Sequence, residues 1–266
     1  MSRISILGCG WLGLPLGTTL VKNGYTVSGS TTSADKLPQL AQAGMDAFLL
    51  SLTAAQTMGN AAAFLDQSDI LIIAIPPRNR SENAESFTDK MRNLIAIVEK
   101  SSVSRVLFIS STSVYGANTG QISEHTVPVA LTVAAKELLA VEAMLLNSSK
   151  FKTTVLRFGG LIGPDRHPAR FLAGKKNIEN PAAAVNLIHR DDCIGIIHKI
   201  IARACWGVTY NAVAPLHESR ESYYTSKAAL WQLPAPEFKS GPSIGKTILS
   251  DKLVRELQYE FQIPDL

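Results

Sequence analysis

ISILGCGWLGLPLG, residues 4–17, joins an apolar run of strand character to a helical run through Gly8, Gly10 and Gly13, spaced G-x-G-x-x-G. That spacing has a mechanical reading. The first glycine permits a tight turn, the second lets the backbone approach a pyrophosphate, and the third lets the helix pack close to the strand. The helix start beyond them offers unpaired N–H groups and the positive end of its dipole. A strand before the glycines and a helix after them predict a dinucleotide-binding turn, with Gly8, Cys9, Gly10, Trp11, Leu12 and Gly13 around the phosphates. The plain alternative is a structural glycine turn that holds no ligand.

The chain around this turn alternates strand-like and helical runs. Strands are expected over 4–8, 25–30, 45–52, 69–77 and 104–111, and helices after the glycine turn to Asn23, over 34–44 and over 86–100. DILIIAIPP (69–77) is a continuous apolar run, as suits a strand buried on both faces. This β-α-β-α order predicts an α/β fold, a Rossmann-type doubly wound parallel sheet. Further helices are expected over 131–147, 191–204, 221–233 and 251–260, with strands over 153–159 and 207–213. The expected division is a dinucleotide-binding domain over 1–160 and a smaller, reduced substrate-binding portion over 161–266, interleaved with the last strands of the sheet.

Composition bounds the function. With 266 residues, 46% hydrophobic and 18% charged, the chain can bury a large core and is not disordered. A net charge of +4 without a dense basic run gives no nucleic-acid footprint. The apolar start is broken by three glycines and a proline and reads as strand-turn-helix rather than a leader. No run of about 18 apolar residues suits a membrane span. Three cysteines, Cys9, Cys193 and Cys205, fit neither a disulfide framework nor a zinc spacing. The expectation is a cytoplasmic protein with three buried thiols, no metal, and no nucleic-acid or membrane partner.

Cofactor choice should show at the end of the second strand, where NAD-selective sites place an acid on the ribose. Here the run is GSTTSADK, with Ser30, Thr31, Thr32 and Ser33, and Lys36 close behind. Hydroxyls and a lysine tolerate a 2′-phosphate that an acid would repel, so NADP is preferred over NAD. Ser33 also suits a helix N-cap.

Other segments carry a resemblance. VLFISSTSVYG (106–116), VLRFGGLIGP (155–164), NLIHRDDCIGIIHKII (186–201) and VTYNAVAP (208–215) fall in the order found in one family. The chain resembles an extended short-chain dehydrogenase/reductase of the nucleotide-sugar epimerase/dehydratase type along nearly its whole length. That resemblance implies cofactor contacts at Ile75, Pro76, Pro77, Ser110 and Phe158. It implies a small-molecule substrate such as a nucleotide sugar, and a homodimer pairing helices 86–100 and 131–147.

The family's catalytic set is a Ser or Thr, a Tyr and a Lys, with the last two spaced Y-x-x-x-K. Counting back four from Tyr115 gives Ser111, and the lysine matches Lys136, which would also touch the nicotinamide ribose. The tyrosine position holds Thr132 in LTVAAKELLAVE (131–142). A phenol near pKa 10 can be tuned into a general acid–base, whereas an aliphatic hydroxyl cannot. Tyr115 is a candidate substitute proton donor. Arg78, Arg166, His167 and Arg170 are candidates for the substrate mouth, while His189 and Asp191 read better as a cap. Two other functions remain open. One is a non-catalytic NADP(H)-binding redox sensor. The other is a β-hydroxyacid or 6-phosphogluconate type dehydrogenase, which would need an all-helical second domain.

Overall fold

The computed structural model describes residues 2–77, 85–216, 218–241, 244–264 and 266. Seven strands make the central sheet: β1 (Arg3–Leu7), β2 (Thr26–Thr31), β3 (Asp46–Leu49), β4 (Ile70–Ile73), β5 (Arg105–Ser111), β6 (Lys152–Phe158) and β7 (Thr209–Ala212). Their spatial order is β7-β6-β5-β4-β1-β2-β3, and every pairing is parallel. The order reverses between β1 and β4, which opens a crevice beyond the carboxyl end of β1, where doubly wound sheets bind ligands. The Rossmann-type fold expected from the sequence is the fold observed.

The helices named here are α1 (Gly13–Lys22), α2 (Leu37–Gln42), α3 (Ala61–Leu65), α4 (Phe87–Val98), α5 (Val133–Leu146), α6 (Ala169–Leu172), α7 (Arg190–Arg203), α8 (Arg220–Leu230) and α9 (Asp251–Leu257). The strands explain why two layers of helices form. In β4, Ile70 and Ile72 enter one core with α1, α2, α7 and α9, while Leu71 and Ile73 enter a second with α3, α4 and α5. Alternate side chains of a strand point to opposite faces, so an unbroken apolar strand needs cover on both.

Several expected elements differ in detail. The run 45–52 is not one strand. β3 ends at Leu49, and Ser51–Leu52 forms a small antiparallel hairpin with Thr57–Met58. Residues 34–44 begin as a 3₁₀ turn, Ala34–Lys36, before α2. The strands predicted over 153–159 and 207–213 lie side by side as β6 and β7 of the main sheet. That placement is incompatible with the all-helical second domain of a 6-phosphogluconate type dehydrogenase.

After residue 160 the chain adds two parallel pairings outside the sheet. Gly160–Ile162 pairs with Leu187–His189, and Gly120–Ile122 with Lys246–Ile248. A third, smaller core of Ile162, Val185, Leu187, Ala214, Tyr223 and Leu266 sits beneath this region. His189 caps α7, its Nδ1 accepting the Asp191 N–H at 3.2 Å, as the sequence suggested. Among the described residues no helix is long and apolar enough to cross a membrane, and no His/Cys/Asp/Glu cluster could hold a metal.

Candidate dinucleotide site

The glycine turn has three glycines with three different needs. Gly8 has φ +98°, and a Cβ there would meet Ile75 Cγ2 at 2.5 Å. At Gly13 an added Cβ would stand 2.2 Å from the Gly8 carbonyl oxygen, so helix and turn touch there. At Gly10 a Cβ would meet nothing within 4 Å: its open side faces free space, as a backbone cradle for phosphate requires. α1 begins without a side-chain cap and without an acid in its first turn, leaving its donors and dipole available. These features fit a bound dinucleotide.

Ser30 holds the turn in place. Its Oγ accepts the Gly8 N–H at 3.0 Å, and its carbonyl accepts the Cys9 N–H at 2.7 Å. Cys9 is buried, which pushes its thiol pKa up to about 12; it is a packing residue rather than a nucleophile.

A cavity of about 410 Å³ opens beside the turn. Gly8, Cys9 and Gly10 form one wall, Ser30, Thr31, Thr32, Ser33 and Lys36 a second, and Leu50, Leu52, Ile75 and Pro76 an apolar third. The strand-end residues Ser30 to Ser33 therefore line the cavity, with the Thr31 hydroxyl accepting the Ser33 N–H at 3.2 Å. Ser33 does precede the 3₁₀ turn, but its side chain makes no capping bond. Glu85 and Lys90 at the far rim pair with each other at 2.8 Å. Pro77 ends the described run after β4, and Arg78 lies outside the described residues.

Trp11 leads away from the turn to a cluster. Its indole N–H donates to Asp165 Oδ1 at 2.7 Å, which lowers the pKa of that carboxyl. The Arg166 guanidinium lies 4.2 Å from the ring centroid and that of Arg190 5.1 Å. Arg190 Nε is buried without a hydrogen-bond partner among the described residues. Two cations thus flank the residue that follows Gly10. Arg190 was not anticipated, although it lies within NLIHRDDCIGIIHKII (186–201), one of the segments that carry the resemblance. His167 and Arg170 go elsewhere, both onto Trp231, with ring centroids 4.6 Å apart for His167 and the Arg170 guanidinium at 5.8 Å. Burial, with Lys227 and Arg170 nearby, lowers the His167 pKa.

The catalytic expectations fare differently. Tyr115 is corrected as a proton donor. It is fully buried; its hydroxyl accepts from Arg157 Nη1 at 2.6 Å and lies 3.1 Å from Asn211 Oδ1. Burial raises its pKa. Arg157 in turn pairs with Glu142, and Glu142 accepts the Ser110 hydroxyl at 2.5 Å. Ser110 therefore faces this buried network instead of a ligand, and Phe158 is part of the core. Ser111 accepts the Ser113 N–H at 3.1 Å and caps the short turn Thr112–Tyr115.

Thr132 lies outside the helix. It is the N-cap of α5, with extended backbone, and its Oγ1 accepts the Ala135 N–H at 3.2 Å. Lys136 is exposed, while Ala135, Leu138, Val141, Glu142 and Leu145 take the inward face of α5.

Residues 8–200 match a family model described as NAD(P)H-binding. Protein YeeZ of Escherichia coli (strain K12) is 34% identical over 269 residues, covering 100% of this chain and 97% of YeeZ. Among solved structures, a presumptive NAD-dependent epimerase/dehydratase from Methylobacillus flagellatus superposes with a TM-score of 0.81 at 27% identity, covering 99% of this chain and 94% of that one. The UDP-glucuronic acid 4-epimerase of Bacillus cereus, solved with NAD, superposes with a TM-score of 0.80 at 17% identity over 98% and 91% of the two chains and shares the fold. The chain belongs to the NAD(P)H-binding family, and it shares its fold with these epimerase and epimerase/dehydratase structures.

Proposed function

We propose that this protein binds NADP(H) in preference to NAD(H) and acts as an atypical short-chain dehydrogenase/reductase on a nucleotide sugar or related carbonyl compound. One observation carries the cofactor choice: the wall formed by Thr31, Thr32, Ser33 and Lys36 offers hydroxyls and an ammonium where an NAD-selective site would present a carboxylate. When bound, the nicotinamide would supply a hydride acceptor or donor. Gly8 to Gly13 would hold the pyrophosphate and Lys36 the 2′-phosphate. Arg166 and Arg190, stacked on Trp11, would add positive charge toward the substrate side. The nucleotide-sugar reading is supported by the UDP-glucuronic acid epimerase that shares the fold. The substrate-binding role belongs to residues beyond 160, and a homodimer through α4 and α5 follows the family habit.

A second reading, a non-catalytic redox sensor, is favoured by Thr132 acting as a cap and by the burial of Tyr115. The two readings separate in one assay. Purified protein with NADPH is offered a panel of nucleotide sugars and their keto derivatives while nicotinamide absorbance is followed. Turnover supports the enzyme; dinucleotide binding without turnover across the panel supports the sensor. In the same preparation Lys36→Glu should reverse the dinucleotide preference, and an unchanged preference would remove Lys36 from the 2′-phosphate site.

A further inference from the structure

A second cleft, of about 430 Å³, lies apart from the glycine turn. It opens between the turn at 116–119, residues 183–186 and the strand Lys246–Ile248. Its volume falls in the range of small-molecule sites. Most of its walls are small or neutral, and among the described residues no carboxylate lines it. Among the described residues its one charged group is Lys246, which is half-buried.

The surroundings of that lysine are fixed but incompletely matched. Lys246 Nζ donates to the Tyr115 and Gly116 carbonyls, both neutral backbone groups. An ammonium has three donors, so one is left for the cleft. The two wall amides are committed to structure. Asn186 donates to the Lys246 carbonyl at 2.9 Å and accepts the Ile248 N–H at 2.8 Å, clamping the strand that carries the lysine. Asn118 donates to the Val127 carbonyl at 3.2 Å and accepts the Val129 N–H at 3.0 Å. A half-buried cation with no counter-ion among the described residues costs free energy that an incoming anion would recover. Burial also lowers the Lys246 pKa, in keeping with an unneutralised charge.

We propose that the cleft between the 116–119 turn and Lys246 is a second ligand site, which takes the oxyanion, carboxylate or phosphate, of a small polar molecule through Lys246. The site does not depend on the dinucleotide reading.

The test uses the full chain, with and without saturating NADPH, titrated calorimetrically with inorganic phosphate and separately with glucuronate. The two arms distinguish a phosphate from a carboxylate ligand. Wild type is expected to bind at least one of them saturably. Lys246→Met, which keeps the aliphatic stem, should weaken that binding at least about tenfold. Thr119→Glu, at an exposed position of the rim, should do the same by supplying a competing carboxylate, and it keeps the lysine should Lys246→Met fail to fold. Both variants should retain wild-type dinucleotide binding. No saturable binding of either anion to wild type would overturn the proposal, as would anion binding unchanged in both variants.

Discussion

At the residue scale the glycine turn separates structure from binding. Gly13 is a packing position, whereas Gly10 is open and, on the proposed dinucleotide reading, an approach position. Gly13→Ala drives a methyl against a carbonyl that cannot withdraw, so it should cost about 1–3 kcal/mol or more in urea unfolding. Gly10→Ala meets nothing and should stay within about 0.5 kcal/mol of wild type, while dinucleotide affinity falls at least about tenfold because the methyl occupies the approach to the phosphates. Equal stability losses in the two variants would contradict this assignment. The glycine spacing, the strand before it and the acid-free tip of β2 were legible because each is a local rule. The Trp11 cluster was not, because Trp11 and Asp165 are 154 residues apart and meet only in the folded chain.

At the element scale, α5 is where sequence and structure part most usefully. The run 131–142 reads as one helix bearing a truncated Y-x-x-x-K. In the structure the helix starts at Val133, and Thr132 uses its hydroxyl on the helix end. A cap and a helical threonine look the same in a sequence, since Thr is favoured at the first and tolerated at the second. Thr132→Ala should therefore cost about 1 kcal/mol, with Thr132→Ser nearly silent. Deeper along the same helix, Glu142 and Arg157 form an ion pair of side chains 3% and 8% exposed, tied to Ser110 and Tyr115. Glu142→Gln strands a buried guanidinium and should cost about 3–5 kcal/mol, whereas Glu237→Gln, which removes the exposed partner of Lys176, should cost less than about 1 kcal/mol. Chemical denaturation of the two variants side by side checks the contrast; similar losses would contradict the structural role given to the buried pair. This network is what removes Tyr115 as a candidate acid. Its place after β5 was readable, but the arginine that claims its hydroxyl lies 42 residues further on.

At the scale of the whole molecule, burial sets the response to alkali. Desolvation raises the pKa of Cys9, Cys193, Tyr210, Tyr223 and Tyr259. For Cys9, between the unfolded value near 8.5 and the folded value of about 12, the folded state keeps a proton that the unfolded state has lost. Stability from these groups is fully present at neutral pH and is lost as pH climbs through that window, with the tyrosines joining above about 10. Tm should thus hold level from pH 7 to 8 and fall progressively from about pH 9 to 11, as scanning calorimetry can follow. A Tm that rises or stays flat to pH 11 would contradict it.

The doubly wound sheet was the most legible level of all, because the apolar strands and the helices between them recur through the whole first half of the chain. The central claim is that its crevice holds a phosphorylated dinucleotide. Titrating wild-type protein with NADPH and NADH in parallel, with tryptophan fluorescence as the signal, tests it most directly. Saturable binding of both, with NADPH the tighter, is the predicted result; no binding of either at millimolar concentration, or a clear preference for NADH, would contradict it.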